Sequence, residues 1–142
     1  MTPGDEKLSD ALAAEYAAIF AYGAIGARLG PLMPLAQQAE QAHRNRRDAL
    51  LTRLSGKGLA PPAAQPVYAL PFPVTDQASG LKLAAQVEER TAAFWRLALP
   101  VTNGDARKIA LDGLVDCAVR ATVFRKSAGS SPVTDQFPGQ TR

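Results

Sequence analysis

A proline-rich segment in the middle of the chain is the strongest constraint on its fold. Residues 56–75 contain five prolines, at positions 61, 62, 66, 71 and 73. Proline removes a backbone donor and clashes with the preceding turn, so this segment cannot be helical. Extended at roughly 3.3 Å per residue it spans about 60 Å, whereas a helix of about 22 residues is only about 33 Å long. The segment can therefore cross the full length of a helical bundle, and it divides the chain into two halves.

Each half contains two helical patterns separated by a short break. Apolar residues recur at alternating steps of four and three, and the breaks fall at Gly30, Pro31 and Pro100. Two hairpins with short loops joined by one long crossover form an up-down-down-up four-helix bundle, because an up-down-up-down bundle needs only short loops. We predict a single all-α domain, 1–142, with helices at 8–29, 33–55, 76–99 and 103–128, a crossover at 56–75 and a tail at 129–142.

Two patterns outside the helices carry structural information. Tyr68, Leu70 and Phe72 alternate in the crossover, which indicates that one face of an extended segment packs onto the helices. The tetrapeptide Val-Thr-Asp-Gln occurs at 74–77 and again at 133–136, where Phe-Pro-Gly follows it. We interpret the first copy as the start of a helix and the second as a turn.

Length and charge narrow the function classes. The chain has 142 residues and a net charge of +3, far from the clustered positive charge of a dedicated nucleic-acid-binding protein. The first ten residues are acidic and lack an apolar signal core, and segment 8–29 contains Asp10, Glu15 and Arg28, so we predict neither a signal peptide nor a membrane span. The single cysteine, Cys117, excludes an internal disulfide framework, and we predict a cytoplasmic protein.

Four acidic residues, one on each predicted helix, lie on apolar stripes that should face the core. They are Glu15, Glu40, Glu88 and Asp116. A buried carboxylate needs a cation as its partner. Glu40 is followed three residues later by His43, and this spacing places a carboxylate beside an imidazole on one helix face, as in carboxylate-bridged di-iron bundles. These five residues form the candidate metal site.

Several stretches resemble a known group of proteins. They are 13–23, 43–48, the linker at 68–71, the end of the third helix at 95–96 and the closing Phe-Pro-Gly at 137–139. Together they look like the short ferritin-like domains of unknown function that are common in actinobacteria, and the resemblance covers nearly the whole chain. It implies a ferritin-like four-helix fold and a dimer, and it assigns no catalytic residue.

The candidate metal site lacks one of its histidines. A complete di-iron site takes one Glu from each of two helices and a Glu-x-x-His motif from each of the other two. Glu15 and Glu88 match the single carboxylates, and Glu40 with His43 matches one motif. Asp116 should begin the second motif, but a valine stands three positions later and the chain has only one histidine.

A buried network of acids and bases is the alternative to a metal. Arg47 lies on the same stripe of the second helix, flanked by Arg44 and Arg46. A guanidinium that enters the core there can bind carboxylates bidentately and hold the helices in register without a metal ion. The predicted network consists of Glu15, His43, Arg47 and Glu88.

We therefore predict a structural or interaction domain that retains the bundle, has lost the di-iron chemistry and needs no cofactor. The alternative function is a metal-binding oxidative or stress protein that holds iron or manganese at the candidate metal site. Weak nucleic-acid binding by the arginine cluster is a third hypothesis. The cluster has no interleaved aromatic residues and no basic tail, so we assign no nucleic-acid-binding residues.

A second apolar stripe on the first helix predicts a homodimer. A four-helix bundle of this size would leave such a stripe partly exposed, and exposed apolar patches typically mark interaction sites. Two further residues, Cys117 and Trp95, are interpreted as ordinary core residues. The stripe consists of Ala11, Ala14, Ala18, Ala21 and Ile25.

Overall fold

A computed structural model describes residues 1–140 as an all-α protein. Short 3-10 turns, Gly30–Leu32 and Leu99–Val101, break the chain inside each hairpin, and no strand occurs within the described residues. The last three helices begin and end within one residue of the predicted positions. The four helices are α1 Pro3–Gly26, α2 Met33–Gly56, α3 Gln77–Ala98 and α4 Gly104–Ser127.

Helix α1 begins five residues before the predicted start and ends three residues before the predicted end. The Thr2 hydroxyl accepts a hydrogen bond from the Asp5 N–H at 3.1 Å, and the Asp5 carboxylate accepts one from the Thr2 N–H at 3.1 Å. Pro3 occupies the first helical position, where its missing N–H costs nothing. Lys57 lies 2.5 Å from Asp5, and the bonds from Lys57 and Thr2 lower the pKa of Asp5 to about 2. The predicted start at residue 8 was therefore wrong, although the Thr and Asp of this capping box are visible in the sequence.

The helix directions follow from contacts between the two hairpins. Within each hairpin the helices are antiparallel, as Asp5 meeting Lys57 at one end of α1 and α2 illustrates. Trp95 donates to Glu15, and Tyr22 donates to Glu88, so residue numbers rise along α1 as they fall along α3. Helices α1 and α3 are therefore antiparallel, while α2 and α3 run in the same direction. This is the predicted up-down-down-up order, with a long crossover between α2 and α3.

The crossover packs along the bundle as predicted. Tyr68, Leu70 and Phe72 are half-buried, whereas the residues between them are exposed. The Tyr68 ring lies 5.7 Å from the ring of Phe20 on α1, and the Lys82 ammonium lies 5.0 Å above the Phe72 ring. The alternating pattern therefore corresponds to one face of an extended chain pressed against helices.

The core is divided into two apolar clusters, one toward each end of the bundle, with charged residues between them. The charged residues of this middle layer are Glu15, His43, Glu88 and Asp116. Each lies between members of the two clusters along its own helix. The largest fully buried residues illustrate both: Leu50, Leu54 and Trp95 in the first cluster, and Ile25, Leu83 and Phe124 in the second.

The second apolar stripe of α1 is buried inside the bundle. Its five members are at most 7% exposed. The small alanine side chains allow α1 to pack closely against two neighbouring helices, so this stripe leaves no apolar surface for another copy. The homodimer stays a prediction, but the reason given for it was wrong.

The tail returns along α3 and α4. Its second Val-Thr-Asp-Gln copy, at 133–136, is not helical, as predicted, and residues 141 and 142 of the predicted tail lie outside the described residues. The Arg96 guanidinium donates to the Pro138 carbonyl at 3.1 Å, and Gly139 has a φ of +76° and packs against the Ala92 backbone. Within residues 1–140 no helix is long and apolar enough to cross a membrane, and the cytoplasmic location stays a prediction.

Candidate functional site

The imidazole of His43 lies between two buried carboxylates in the middle of the bundle. Its Nδ1 atom is 2.5 Å from Oε2 of Glu15, and its Nε2 atom is 2.9 Å from Oε1 of Glu88. All three side chains have no solvent exposure. Each ring nitrogen faces an acceptor, so each carries a proton, and the ring is an imidazolium ion held by α1, α2 and α3.

Opposing effects determine the pKa of His43. Burial disfavours the charged ring, but the carboxylates of Glu88 and Glu15 outweigh it and raise the pKa of His43 to about 9. Burial also raises the pKa of Glu15, while His43 and Arg46 lower it, and the net direction is downward. His43 and Glu15 are therefore both ionised at neutral pH.

Arg46, whose side chain is 13% exposed, supplies the second cation of the network. Its Nε atom donates to Oε1 of Glu15 at 2.9 Å, and its Nη1 atom donates to Asp116 on α4 at 2.6 Å. Asp116 also accepts a hydrogen bond from Arg120 at 3.0 Å. The Arg46 Nη2 atom lies 3.0 Å from Nδ1 of His43. This approach of two cations is tolerated because Glu15 binds both, and the network thereby extends to all four helices.

Two aromatic side chains complete the network, because α1 and α3 each donate a hydrogen bond to a carboxylate on the other helix. Glu15 and Tyr22 are seven residues apart on α1, and Glu88 and Trp95 are seven residues apart on α3. Because these helices are antiparallel, Trp95 reaches Glu15 at 2.8 Å while Tyr22 reaches Glu88 at 3.0 Å. Each helix thus provides one carboxylate and the neutral donor for the other helix's carboxylate. The remaining oxygen of Glu88, Oε2, has no hydrogen-bond partner among residues 1–140.

A glycine on α4 makes room for the Trp95 indole beside Glu15. Gly113 of α4 lies against the Trp95 ring, and a Cβ atom at this glycine would be 2.7 Å from the Cδ2 atom of the indole. The Trp95 indole is completely buried, so it has no space to move away. Close approach of α4 therefore fixes the indole in the position from which it donates to Glu15.

Two of the predicted site residues lie elsewhere. Arg47 pairs with the adjacent Asp48 at 2.9 Å, and Glu40 pairs with Arg44 at 3.0 Å on a partly exposed face. Arg46 takes the place predicted for Arg47 in the network. The structure does bring together the other predicted members, which are Glu15, His43 and Glu88, and it links Asp116 to them through Arg46.

Both corrections on α2 have one cause. The predicted stripe stepped back from Leu50 by three and then four residues, through positions 47, 43, 40 and 36. The buried face instead steps back by four and then three, through 46, 43, 39 and 36, with Ala39 fully buried. A helix has 3.6 residues per turn, so both orders fit an isolated stripe, and only contact with the neighbouring helices selects between them.

The donor set does not suit a dinuclear metal centre. Both nitrogens of His43 are directed at carboxylates on opposite sides of the ring, and Asp116 is held by two arginines. Glu40 lies outside the core. Among residues 1–140, no three His, Cys, Asp or Glu side chains converge at a position suited to a metal ion. A guanidinium and an imidazolium occupy the centre of the bundle instead.

Cys117 adjoins the network without an evident chemical role. It is fully buried, and its Sγ atom lies 3.5 Å from Nη2 of Arg46. Burial and the nearby charge of Glu88 raise the pKa of the Cys117 thiol well above its usual range. The protonated thiol is a small buried side chain, in agreement with the prediction.

Comparisons with known proteins identify relatives of the chain. A family model described as "Domain of unknown function (DUF4439)" matches residues 7–142. The crystal structure of a conserved hypothetical protein, rv2844, from Mycobacterium tuberculosis is similar at a TM-score of 0.85 and 35% sequence identity, covering 95% of this chain and 97% of that chain. A search of curated proteins found no match. These matches confirm the predicted resemblance to an actinobacterial group of domains of unknown function.

Proposed function

The chain belongs to the family described as a domain of unknown function (DUF4439), and we propose that it is a metal-independent interaction domain with a ferritin-like bundle. In this proposal the bundle keeps a ferritin-like helix order, and the side chains of His43 and Arg46 take the place that metal ions would hold. The protein requires no cofactor. Its role is to present a helical surface to a second copy of the chain.

The position of the His43 ring is the observation that carries this proposal. A histidine that binds a metal must offer one unprotonated nitrogen to the ion. Here Nδ1 and Nε2 face Glu15 and Glu88 at 2.5 Å and 2.9 Å, so both nitrogens are used. Freeing Nε2 would leave the buried carboxylate of Glu88 without its cation, which costs about 3 to 5 kcal/mol. A metal ion at His43 would therefore have to break a buried ion pair.

Elemental analysis tests the metal-independent part of the proposal. Protein purified from medium supplemented with iron and manganese should contain far less than one metal ion per chain. A chelator should leave its melting temperature unchanged. Stoichiometric iron or manganese, together with a lower melting temperature after chelation, would contradict the proposal and favour the alternative function, a metal-binding oxidative or stress protein.

The interaction surface in this proposal is the outer face of α4. Leu111, Val115, Val119 and Val123 recur there at intervals of four residues, with exposed fractions of 48%, 53%, 57% and 39%. Exposed apolar patches on soluble proteins typically mark interaction sites. Leu97 of α3, which is 54% exposed, lines a hollow with Val119 and another with Leu111, so it extends the same surface.

The helix dipoles and the even spacing of this row suit an antiparallel partner. The N-terminal end of α4 is balanced in charge, with Asp105 and Asp112 against Arg107 and Lys108, whereas Arg125 and Lys126 make the C-terminal end basic. Antiparallel apposition of two α4 helices places the basic end of one beside the neutral end of the other and opposes their dipoles. The even spacing also lets apolar residues meet apolar residues across a two-fold axis. These features support a homodimer.

Light scattering at micromolar concentration tests the homodimer. The wild type should have the mass of two chains, and Val115→Asp should convert it to a monomer, because a carboxylate would be buried without a partner at the interface. Val67→Asp is the matched control, since Val67 is 68% exposed in the crossover and lies far from α4 in sequence. A monomeric wild type, or equal masses for the two variants, would contradict the dimer.

A further inference from the structure

A trough between α3 and α4 lies on the side of the bundle that the tail covers. Its main hollow has a volume of about 780 Å³, bordered by α3, α4 and the tail residues 132–140. Small-molecule sites in proteins typically enclose about 300 to 1,000 Å³. We call this feature the α3–α4 trough. Its floor consists of four small side chains, those of Ala92, Ala93, Ala118 and Ala121.

The walls of the α3–α4 trough are mainly apolar, and the trough is elongated. Phe94, Leu97 and Val119 line the main hollow. Beyond Gly139 a second hollow of about 860 Å³ continues along the same helices toward Leu111, with Leu97 and Gly139 belonging to both. An alanine floor between apolar walls fits an unbranched hydrocarbon chain, which needs length and little width.

The tail forms a fixed side of the trough. Arg96 holds the Pro138 carbonyl at 3.1 Å, and Arg125 holds the Val133 carbonyl at 3.2 Å. A Cβ atom at Gly139 would lie 2.7 Å from the Ala92 carbonyl oxygen, so the tail backbone touches α3 directly. The trough is therefore formed before any ligand arrives, which lowers the entropic cost of binding.

The charged side chains of the trough favour an anion. The two hollows are lined by four arginines and two acids, a net charge of +2, with the acids Glu89 and Asp135 both in the main hollow. Arg125 pairs with Glu89, and Asp135 accepts the Phe137 N–H at 3.2 Å. The side chains of Arg90 and Arg107, in contrast, make no hydrogen bond or ion pair with any residue from 1 to 140. Arg90 borders the main hollow and Arg107 borders the second, so each hollow has an uncompensated guanidinium at its edge.

We propose that the α3–α4 trough binds a single-chain anionic amphiphile, such as a long-chain fatty acid. The hydrocarbon chain lies along the alanine floor between Leu97 and Val119, and the carboxylate pairs with Arg90. This ligand matches three features of the trough, which are its length, its apolar lining and the unpaired guanidinium at the edge of the main hollow. The site is formed within one chain, although Leu111 and Val119 also belong to the row of apolar residues on the outer face of α4, and Leu97 extends that row. Val115 and Val123 of the row line neither hollow.

Titration calorimetry with dodecanoate, below its micelle concentration, tests the proposal. We expect one site per chain with a Kd on the order of 10 to 100 µM. Arg90→Gln should weaken binding by about tenfold or more, because the charged part of the contact is lost. Arg28→Gln is the matched control: it removes one positive charge from an exposed residue that does not line the trough, and it should leave the affinity unchanged.

Two further measurements distinguish a specific site from nonspecific adsorption to an apolar surface. Ala93→Leu should abolish binding by filling the floor shared by both hollows, and butyrate, with too short a chain, should not bind. Absence of dodecanoate binding, equal loss in Arg90→Gln and Arg28→Gln, or equal binding of the uncharged detergent dodecyl maltoside would each overturn the proposal. Val115→Asp should still bind dodecanoate, so the ligand site and the homodimer can fail independently.

Discussion

The free energy of unfolding should decrease with rising pH because His43 loses its proton. The pKa of His43 is raised from 6.5 to about 9 in the folded protein, mainly by the two carboxylates that overcome its burial. A group whose pKa is raised by folding stabilises the protein fully below its unfolded pKa, and this stabilisation is lost as the pH passes through its folded pKa. At about 1.4 kcal/mol per pKa unit, the contribution is about 3 kcal/mol.

Denaturant unfolding at a series of pH values measures this contribution. The wild type should lose about 3 kcal/mol of unfolding free energy between about pH 6 and about pH 9.5. His43→Gln is the control, since its neutral side chain cannot titrate while the lysines, tyrosines and termini remain the same. The pH dependence of His43→Gln, subtracted from that of the wild type, should isolate the imidazole. His43→Gln should also be less stable than the wild type at pH 6, because Glu15 and Glu88 lose their shared cation.

Parallel pH profiles for the wild type and His43→Gln would refute this reasoning. They would mean that His43 is neutral in the folded protein, which is the state that a metal ligand requires. An NMR titration of the imidazole signals measures the pKa of His43 directly. A measured pKa near 6.5 would show that the carboxylates do not act on the ring as the geometry indicates.

Three further predictions concern the network and its surroundings. Glu88→Gln should destabilise the metal-free protein by about 2 to 4 kcal/mol, since it removes a counter-ion and buries an unpaired amide, and calorimetry should show a melting temperature lower by roughly 10 °C. Arg46→Met should cost about 3 to 5 kcal/mol in denaturant unfolding, whereas Arg47→Met should change stability by less than about 0.5 kcal/mol, and equal effects would contradict the corrected network. Gly113→Ala should destabilise by about 1 to 3 kcal/mol and perturb the fluorescence of Trp95, because the added methyl group overlaps the indole; an unchanged spectrum would argue against this packing.

The helix order was predictable from the sequence because it depends on where helix-breaking residues lie and on the length of the crossover. The prolines of the crossover exclude helix, and the chain they occupy is long enough to span the bundle, so the up-down-down-up arrangement followed. The first Val-Thr-Asp-Gln copy was recognised as the start of a helix, and in the structure its Asp76 forms a capping box with Ser79. The start of α1 was missed although Thr2 and Asp5 form the same kind of box, since the prediction followed the apolar stripe and that stripe begins only at Leu8.

The candidate site was predictable in part. Glu15, His43 and Glu88 were found because a charged residue on an apolar stripe conflicts with its surroundings unless a partner meets it. The choice between Arg46 and Arg47 depends on a rotation of α2 by a fraction of a turn, which the stripe alone does not determine. The hydrogen bonds from Tyr22 to Glu88 and from Trp95 to Glu15 could not be predicted, because they depend on the antiparallel pairing of α1 and α3. That pairing is seen only in the structure.

The exposed row on α4 shows the opposite problem. Its residues are apolar and regularly spaced, so in the sequence they resemble a core stripe. In the structure the inner face carries Gly113, Cys117 and other small residues, with Phe124 the only large fully buried side chain. A helix that is apolar on two sides has no unique inward face until its neighbours are known.

The division of the charged network between the two hairpins has a consequence for folding. The hairpin of α1 and α2 contributes Glu15, His43 and Arg46, an excess of positive charge, whereas the other hairpin contributes Glu88 and Asp116. Neither hairpin can bury its own charges without the other, although each supplies part of both apolar clusters. We expect the separated halves to be unstable and the whole chain to fold in one cooperative step, because the charged layer links two clusters that could otherwise melt one at a time.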